Sequence, residues 1–282
     1  MKKLLWGLLL LPISLCLLFF GYRQLSGKNS NEVGLGILTW VKDVRGQSVD
    51  WTTLGQTEQP PLDHAPWDSL LRRHVERSGG VDYAGFARER TQLDAYLRQL
   101  SSHPPGSNWS EAEQLAYWIN AYNAFTIQLI LDHQPLTSIK DISEGLPMIN
   151  SPWDLKFFQI GGLDFDLNTI EHGVLRQGFR EPRIHFAINC ASFSCPALRW
   201  EAYTARKLDR QLDDQAHRFI NDPNKNHLSE EALELSKIFD WFPGDFTREQ
   251  SLRAFLRQYS KVPIRAGASI GYLDYDWSLN GR

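Results

Sequence analysis

Residues 184–198, which read IHFAINCASFSCPAL, contain the side chains of this chain that are best suited to chemistry. Cys190 and Cys195 are separated by four residues, and His185 and Asn189 precede them. A thiolate is a nucleophile and a metal ligand, an imidazole moves protons, and an amide can orient either group. The residue types and their spacing therefore indicate thiol chemistry in this stretch.

The apolar run over 184–190 predicts a β-strand, in which side chains alternate between two faces. The alternation places Cys190 with the core and His185 on the opposite, more polar face. Cys195 follows the strand, and Pro196 suits the first position of a helical turn. Cys195 would then be the N-cap residue, where the helix dipole favours the thiolate.

Two interpretations of the cysteines involve no catalysis. In the first, a Cys190–Cys195 disulfide closes a short loop, and it contributes only about 2 kcal/mol because the loop is short. In the second, the two thiols bind zinc together with His172 and His185. Their spacing matches no zinc motif and the chain has no HExxH sequence, so we predict no metal and no cofactor.

A third interpretation of the same residues is catalytic. Cys195 would attack a carbonyl carbon, with His185 or His172 as the general base. Asn189 or Asn123 would orient the imidazole or bind the oxyanion. The chain has no GxSxG sequence and no Gly-rich phosphate loop, which argues against a serine hydrolase and a nucleotide-binding protein.

The elements that must position these side chains are mostly helices. Ser110 and Glu113 predict a capping box for a helix over 111–132, which is strongly apolar and should lie deep in the core. Asn120 and Asn123 are three residues apart on one face of that helix. Their amides either hold neighbouring loops or orient a catalytic group.

Strands are few in the predicted fold. Apolar runs on both sides of Gly161–Gly162 predict a hairpin, and the alternating segment 233–235 predicts a short strand. With 184–190 they predict one small, mainly antiparallel sheet. Since helical apolar spacing dominates elsewhere, we predict an α+β fold, a helix-rich single domain packed on that sheet and preceded by an N-terminal membrane helix.

The N-terminus predicts a membrane segment. Lys2 and Lys3 precede Leu4–Phe20, seventeen residues without a charge, which span roughly 26 Å as a helix. No small-residue cleavage site follows, which favours an uncleaved anchor over a signal peptide. The positive-inside rule then predicts an inner-membrane protein with a single pass, a cytoplasmic N-terminus and a periplasmic globular domain. Secretion after signal cleavage is the alternative.

The chain divides into a transmembrane anchor over 1–22, a tether over 23–61 and a globular domain over 62–282. The tether is rich in Gly, Ser, Asn and Gln and ends at Pro60–Pro61. The formal net charge of -3 and the absence of a basic run predict no nucleic-acid partner. The expected partners are the membrane, through the N-terminal helix, and a peptide, glycan or protein of the envelope, a compartment that permits disulfides.

Several stretches of the chain resemble the family called domain of unknown function 547. They are AYWINAYNAFTI (116–127), SIKDI (138–142), IEHGVLR (170–176), IHFAINCASFSCPAL (184–198), LSKIFDW (235–241) and YDWSLN (275–280). The resemblance covers residues 62–280 and implies no established activity, cofactor or catalytic residue. A remote likeness to papain-like or transglutaminase-like enzymes implies cysteine-dependent acyl chemistry. Those enzymes carry the cysteine at the start of a core helix, whereas this chain has Tyr117-Trp118 in that region.

The sequence therefore supports two functions of different classes. The first is a membrane-anchored envelope protein that acts as a cysteine-dependent hydrolase or acyl-transfer enzyme. The alternative is a non-catalytic periplasmic binding or interaction domain, in which a disulfide between Cys190 and Cys195 shapes a loop.

Overall fold

A computed structural model of the protein describes residues 51–142 and 151–281. They belong to one compact unit, Ser48–Arg282. The predicted anchor over 1–22 lies outside the described residues, as does the predicted tether up to residue 50. Within the described residues, no helix has the length and apolar character needed to cross a membrane.

The described chain is rich in helices and has two small sheets, which confirms the predicted α+β class. The α-helices are α1 Ala65–His74, α2 Tyr83–Arg88, α3 Arg90–Ser102, α4 Glu111–Asp132, α5 Arg176–Gly178, α6 Ile184–Ala187, α7 Leu208–Ile220, α8 Ile238–Trp241, α9 Pro243–Phe246 and α10 Leu252–Tyr259. A π-helix, Thr169–Leu175, precedes α5, and 3-10 turns occur at Trp51–Thr53, Ile139–Asp141, Pro152–Asp154 and Ala205–Lys207. The strands are β1 Phe158–Ile160, β2 Leu163–Phe165, β3 His227–Leu228, β4 Ala232–Leu235 and β5 Ser269–Tyr272.

The strands of the described chain form two sheets rather than the single sheet predicted. β1 and β2 pair antiparallel around Gly161–Gly162, as the sequence predicts. These glycines have φ values of 59° and 82°, a backbone region that residues with a Cβ rarely adopt. β4 pairs antiparallel with β3 and parallel with β5. The strand predicted at 233–235 is therefore the central strand of the second sheet.

The prediction of a strand over 184–190 is wrong, because the first four of these residues form α6. Pro182 starts the turn, and its carbonyl accepts a hydrogen bond from the His185 N–H at 3.3 Å. The side-chain amides of Asn123, on α4, and Gln215, on α7, each donate to a backbone carbonyl of α6 at 3.0 Å. These neighbouring helices occupy the carbonyls that a sheet partner would need, so the segment packs as a helical turn.

Helix α4 runs through the core of the unit and begins at the predicted capping box. Every residue from Leu115 to Ile130 is buried, apart from the half-buried Gln128. Asn120 is fully buried, and its amide group forms two hydrogen bonds with the backbone of Tyr203. The Asn120 Nδ2 donates to the Tyr203 carbonyl at 2.8 Å, and its Oδ1 accepts from the Tyr203 N–H at 3.0 Å. This amide therefore joins α4 to the chain that leads into α7.

Trp51 belongs to the predicted tether but packs against the core of the described unit. Its ring centroid lies 6.5 Å from that of Trp118 in an edge-on arrangement. It also stacks on Phe179, with 6.1 Å between centroids. The chain therefore contacts the helical core ahead of residue 62, where the globular domain was predicted to begin.

Replacing Asn120 by Ala should lower the free energy of unfolding by about 2–4 kcal/mol, because the N–H and carbonyl of Tyr203 would lose their partner where water does not reach. Urea unfolding followed by circular dichroism measures the change. The matched control is Gln128→Ala on the same helix, for which we expect less than about 1 kcal/mol. Equal losses in the two variants would contradict the role given to the Asn120 amide.

Candidate functional site

A cleft of about 160 Å³ brings together the thiols and imidazoles that the sequence singles out. Cys190, Cys195, His172 and His185 all line it, although they come from the π-helix, from α6 and from the loop that follows α6. The rest of the wall is mainly aromatic and comes from Tyr122, Trp153, Trp241, Phe242, Tyr275 and Trp277. The described chain thus assembles one site from segments far apart in sequence.

The loop that carries the two cysteines is tight and contains a strained residue. Both cysteines are free thiols, and the backbone N–H of Cys190 donates to the Cys195 Sγ at 2.9 Å. Ala191, between them, has a φ of 62°, a left-handed conformation that costs an alanine roughly 1–2 kcal/mol. The Ala191 N–H donates to the Asn189 Oδ1 at 3.0 Å, and this bond helps to hold the unfavourable conformation.

The exposure of Cys190 differs from that predicted from strand alternation, which places it in the core. Cys195 is buried, with 6% of its surface exposed, whereas Cys190 is half-buried at the wall of the cleft. The residues directly after Cys195 are not helical, so Cys195 is not an N-cap residue. The error for Cys190 follows from the strand assignment, which α6 replaces, and the error for Cys195 follows from the helical turn predicted to start at Pro196.

The surroundings of the two thiols shift their pKa values in opposite directions. Burial alone would raise the pKa of Cys190, but hydrogen bonds from Cys195, Ser192 and Tyr275 outweigh burial and lower that pKa. The Ser192 and Tyr275 hydroxyl oxygens lie 3.1 Å and 3.4 Å from the Cys190 Sγ. Burial, followed by the neighbouring Cys190, raises the pKa of Cys195. Cys190 is therefore the thiol that ionises first.

His185 lies at the wall of the cleft with a fixed orientation. Its Nε2 is 2.8 Å from the Asp245 Oδ2, and the Phe242 ring stacks on it with 4.3 Å between centroids. Since a carboxylate accepts hydrogen bonds, this contact assigns the ring hydrogen to Nε2 and the lone pair to Nδ1. Burial lowers the pKa of His185, which favours the neutral ring. A neutral imidazole of this tautomer can accept a proton at Nδ1.

Asp245, on α9, is a site residue that the sequence analysis does not identify. It accepts a hydrogen bond from the Arg176 Nε at 2.6 Å in addition to that from His185. Burial would raise the pKa of Asp245, but the contacts with His185 and Arg176 hold it well below its usual range. The sequence offers little signal for it, because Asp245 is one of two carboxylates in the aromatic segment 239–246 and lies 60 residues from His185.

His172 has the opposite tautomer and lies in the π-helix. The Arg176 Nη1 contacts the His172 Nδ1 at 2.8 Å. An arginine side chain offers only donors, so Nδ1 accepts and the neutral ring carries its hydrogen on Nε2. His172 is thus suited to donate a hydrogen bond at Nε2, whereas His185 is suited to accept a proton at Nδ1.

Asn123 and Asn189, both predicted as site residues, hold the cysteine loop from behind. The Asn123 Oδ1 accepts from the Asn189 backbone N–H at 2.8 Å. The Asn189 side chain donates to the Pro196 carbonyl at 2.7 Å and accepts from the Asn280 Nδ2 at 3.1 Å. Because both amides are buried and their bonds run to the loop, they fix its position.

The described residues do not assemble a metal site. No three side chains of His, Cys, Asp or Glu in residues 51–142 and 151–281 converge as the ligands of a metal ion would. The zinc interpretation of the two cysteines with His172 and His185 therefore receives no support from their arrangement.

Residues 106–220 match the model of a family described as "Protein of unknown function, DUF547". The match confirms the resemblance to this family over that segment, which includes both cysteines, His172 and His185. Asp245 and the aromatic residues from Trp241 to Trp277 lie beyond it. No curated protein and no solved structure shows significant similarity to the chain.

Replacing Asp245 by Asn should lower the free energy of unfolding by roughly 3 kcal/mol at pH 7, because Arg176 would lose its carboxylate partner in a mostly buried site. A carboxylate with a depressed folded-state pKa stabilises the protein above its unfolded-state pKa, near 4, and the stabilisation declines as the pH falls toward the folded-state value. The difference between Asp245→Asn and the parent should therefore stay constant from pH 7 to about 5 and narrow below about pH 4.

Urea unfolding of both proteins between pH 3 and 7 tests this expectation. Asp240→Asn is the matched control, since Asp240 forms an exposed ion pair with Lys237 at 3.3 Å. We expect it to change stability by less than about 1 kcal/mol. A difference for Asp245→Asn that does not depend on pH would contradict a stabilising ionised carboxylate.

Proposed function

We propose that this protein is a cysteine-dependent hydrolase or acyl-transfer enzyme, with Cys190 as its nucleophile and His185 as its general base. One observation carries the proposal. A thiol of lowered pKa shares a cleft with a histidine whose proton-accepting tautomer is fixed by Asp245. A thiol, an imidazole and a carboxylate in these roles form the arrangement that activates nucleophiles in several unrelated enzymes.

The chemistry would proceed in two steps. The Cys190 thiol loses its proton to the His185 Nδ1, and the thiolate Sγ attacks the carbonyl carbon of an amide or thioester. The protonated imidazole then gives that proton to the leaving amine or thiol, and a thioester with Cys190 remains. Water, or an amine in acyl transfer, attacks the thioester with His185 again as base, and the thiol is restored. The His172 Nε2–H would donate a hydrogen bond to the developing oxyanion.

The proposal moves the nucleophile from Cys195, which the sequence favours, to Cys190. Cys195 is buried and its pKa is raised, so it keeps its proton at neutral pH. A protonated Cys195 beside Cys190 can donate a hydrogen bond to the thiolate and thereby stabilise it. Cys195 would thus be a positioning residue for the nucleophile.

A non-catalytic binding domain is the second candidate function. The observation in its favour is the closeness of the thiols, since the Cys190 N–H contacts the Cys195 Sγ at 2.9 Å. Oxidation of this pair to a disulfide would consume the nucleophile and leave an aromatic cleft that binds a peptide or glycan. In both candidates we propose the same location, a membrane-anchored periplasmic domain, on the sequence of residues 1–22 alone.

The full chain with Cys16→Ser, which removes the thiol of the predicted anchor, should be alkylated by iodoacetamide once, at Cys190, when it is purified without reductant. The reaction should be faster at pH 7 than that of an unstructured cysteine peptide, because more of Cys190 is thiolate. His185→Gln should slow the turnover of a thioester substrate by about 100-fold or more, because the general base is lost. Mass spectrometry of the peptides identifies the labelled thiol, and stopped-flow kinetics gives the pH dependence of the alkylation rate.

The matched control is Cys195→Ser, which removes the second thiol and keeps a hydrogen-bond donor. It should leave Cys190 alkylated, whereas Cys190→Ser should abolish labelling. An intact mass two hydrogens lower, with a Cys190–Cys195 bridge that resists mild reduction, would favour the binding domain. Selective labelling of Cys195 would instead return the nucleophile to the residue predicted from sequence.

A further inference from the structure

Glu171 is a carboxylate of the cleft that the chemistry above leaves unused. It lies on the π-helix, lines the cleft and is half-buried. The Tyr122 hydroxyl donates to its Oε2 at 3.3 Å. Among the residues that the structure describes, no lysine or arginine forms an ion pair with Glu171. A half-buried carboxylate without a countercharge favours the approach of a cation.

Aromatic rings form the wall of the same space. The Trp277 ring lies 4.4 Å from that of Tyr275 and 5.7 Å from those of Trp241 and Trp153, measured between centroids. The faces of such rings attract cations, and tryptophan does so most strongly. Trp277 already holds a cation, because the Lys140 Nζ lies 3.8 Å from its ring centroid.

Most of the charges around the cleft are balanced or favour a bound cation. Arg176 contacts Phe242, but its guanidinium is balanced by Asp245 at 2.6 Å. The buried His185 favours its neutral form. Lys140 does not line the cleft. It lies against Trp277 and interacts electrostatically with Cys190, so its charge works against a second cation on the Trp277 ring. Ionised Cys190 would add a second negative charge, so both functional groups of the cleft attract a cation.

We propose that the cleft binds an alkylammonium group, held by Glu171 as the countercharge and by the rings of Trp241 and Tyr275. One consequence of the inference rests on the proposed function. If Cys190 is the nucleophile, the acyl compound that it converts carries an alkylammonium group near its scissile bond. The binding itself does not require the thiol. Glu171 and the aromatic wall can therefore be tested in protein that has no nucleophile.

The test uses the full chain with Cys190→Ala, purified in a maltoside detergent, because zwitterionic detergents themselves carry quaternary ammonium groups. Calorimetric titration compares two cations, choline and n-butylammonium, with 3,3-dimethylbutan-1-ol and 1-butanol as their neutral counterparts. At least one cation should bind about tenfold or more tightly than its neutral counterpart, a difference that one charge-assisted contact provides.

Two variants locate the site. Glu171→Gln keeps the shape of the side chain and should weaken cation binding about tenfold while leaving the neutral compounds unaffected. Trp241→Leu removes the most accessible ring of the wall and should weaken cation binding about threefold or more. The matched control is Glu249→Gln, which removes a carboxylate from an exposed position and should change neither affinity.

The outcomes separate this inference from the proposed function. Equal binding of cations and neutral counterparts, or an unchanged cation affinity in Glu171→Gln, would overturn the ammonium site even if Cys190 proves reactive. A cation preference lost in Glu171→Gln, together with an inert Cys190 in the parent chain, would establish the ammonium site and reject the hydrolase. Preference for choline or for n-butylammonium tells whether the group is quaternary or primary.

Discussion

The rest of the site depends on the buried side-chain amide of Asn123, which bonds to the backbone just before and just after the end of α6. Asn123 donates to the Ala187 carbonyl and accepts from the Asn189 N–H. Because Asn123 is on α4, the most deeply buried helix, the position of the cysteine loop is set by the core of the protein. Asn189 then bonds to Ala191 and Pro196 and so fixes the loop that carries the thiols.

The cleft combines two sets of residues with different origins in the chain. The thiols, His172 and His185 lie within residues 106–220, which match the family model. Asp245 and Tyr275 come later in the chain. Asp245 sets the tautomer of His185, and the Tyr275 hydroxyl contacts the Cys190 thiol. Trp241 and Trp277, which also come later, form part of the aromatic wall. The chemistry of the thiol therefore depends on both segments together.

Signals that act within a few residues predict their part of this structure well. The capping box before α4 and the Gly161–Gly162 hairpin each depend on a handful of neighbouring residues. The strand assignment at 184–190 fails because a short apolar run suits a strand or a buried helical turn equally, and side chains of α4 and α7 decide between them. Asp245 and Tyr275 reach the site through contacts 60 and 85 residues away, for which local patterns carry no signal.

The side-chain bond between Asn280 and Asn189 joins residues 91 positions apart and has a consequence for biosynthesis. At a synthesis rate of roughly 5–20 residues per second, the cysteine loop is made roughly 5–18 seconds before the residue that completes its bonding. During that interval the strained Ala191 and both thiols lack one of their supports. The newly made chain is therefore more open to wrong pairing or oxidation of its cysteines than the finished protein is.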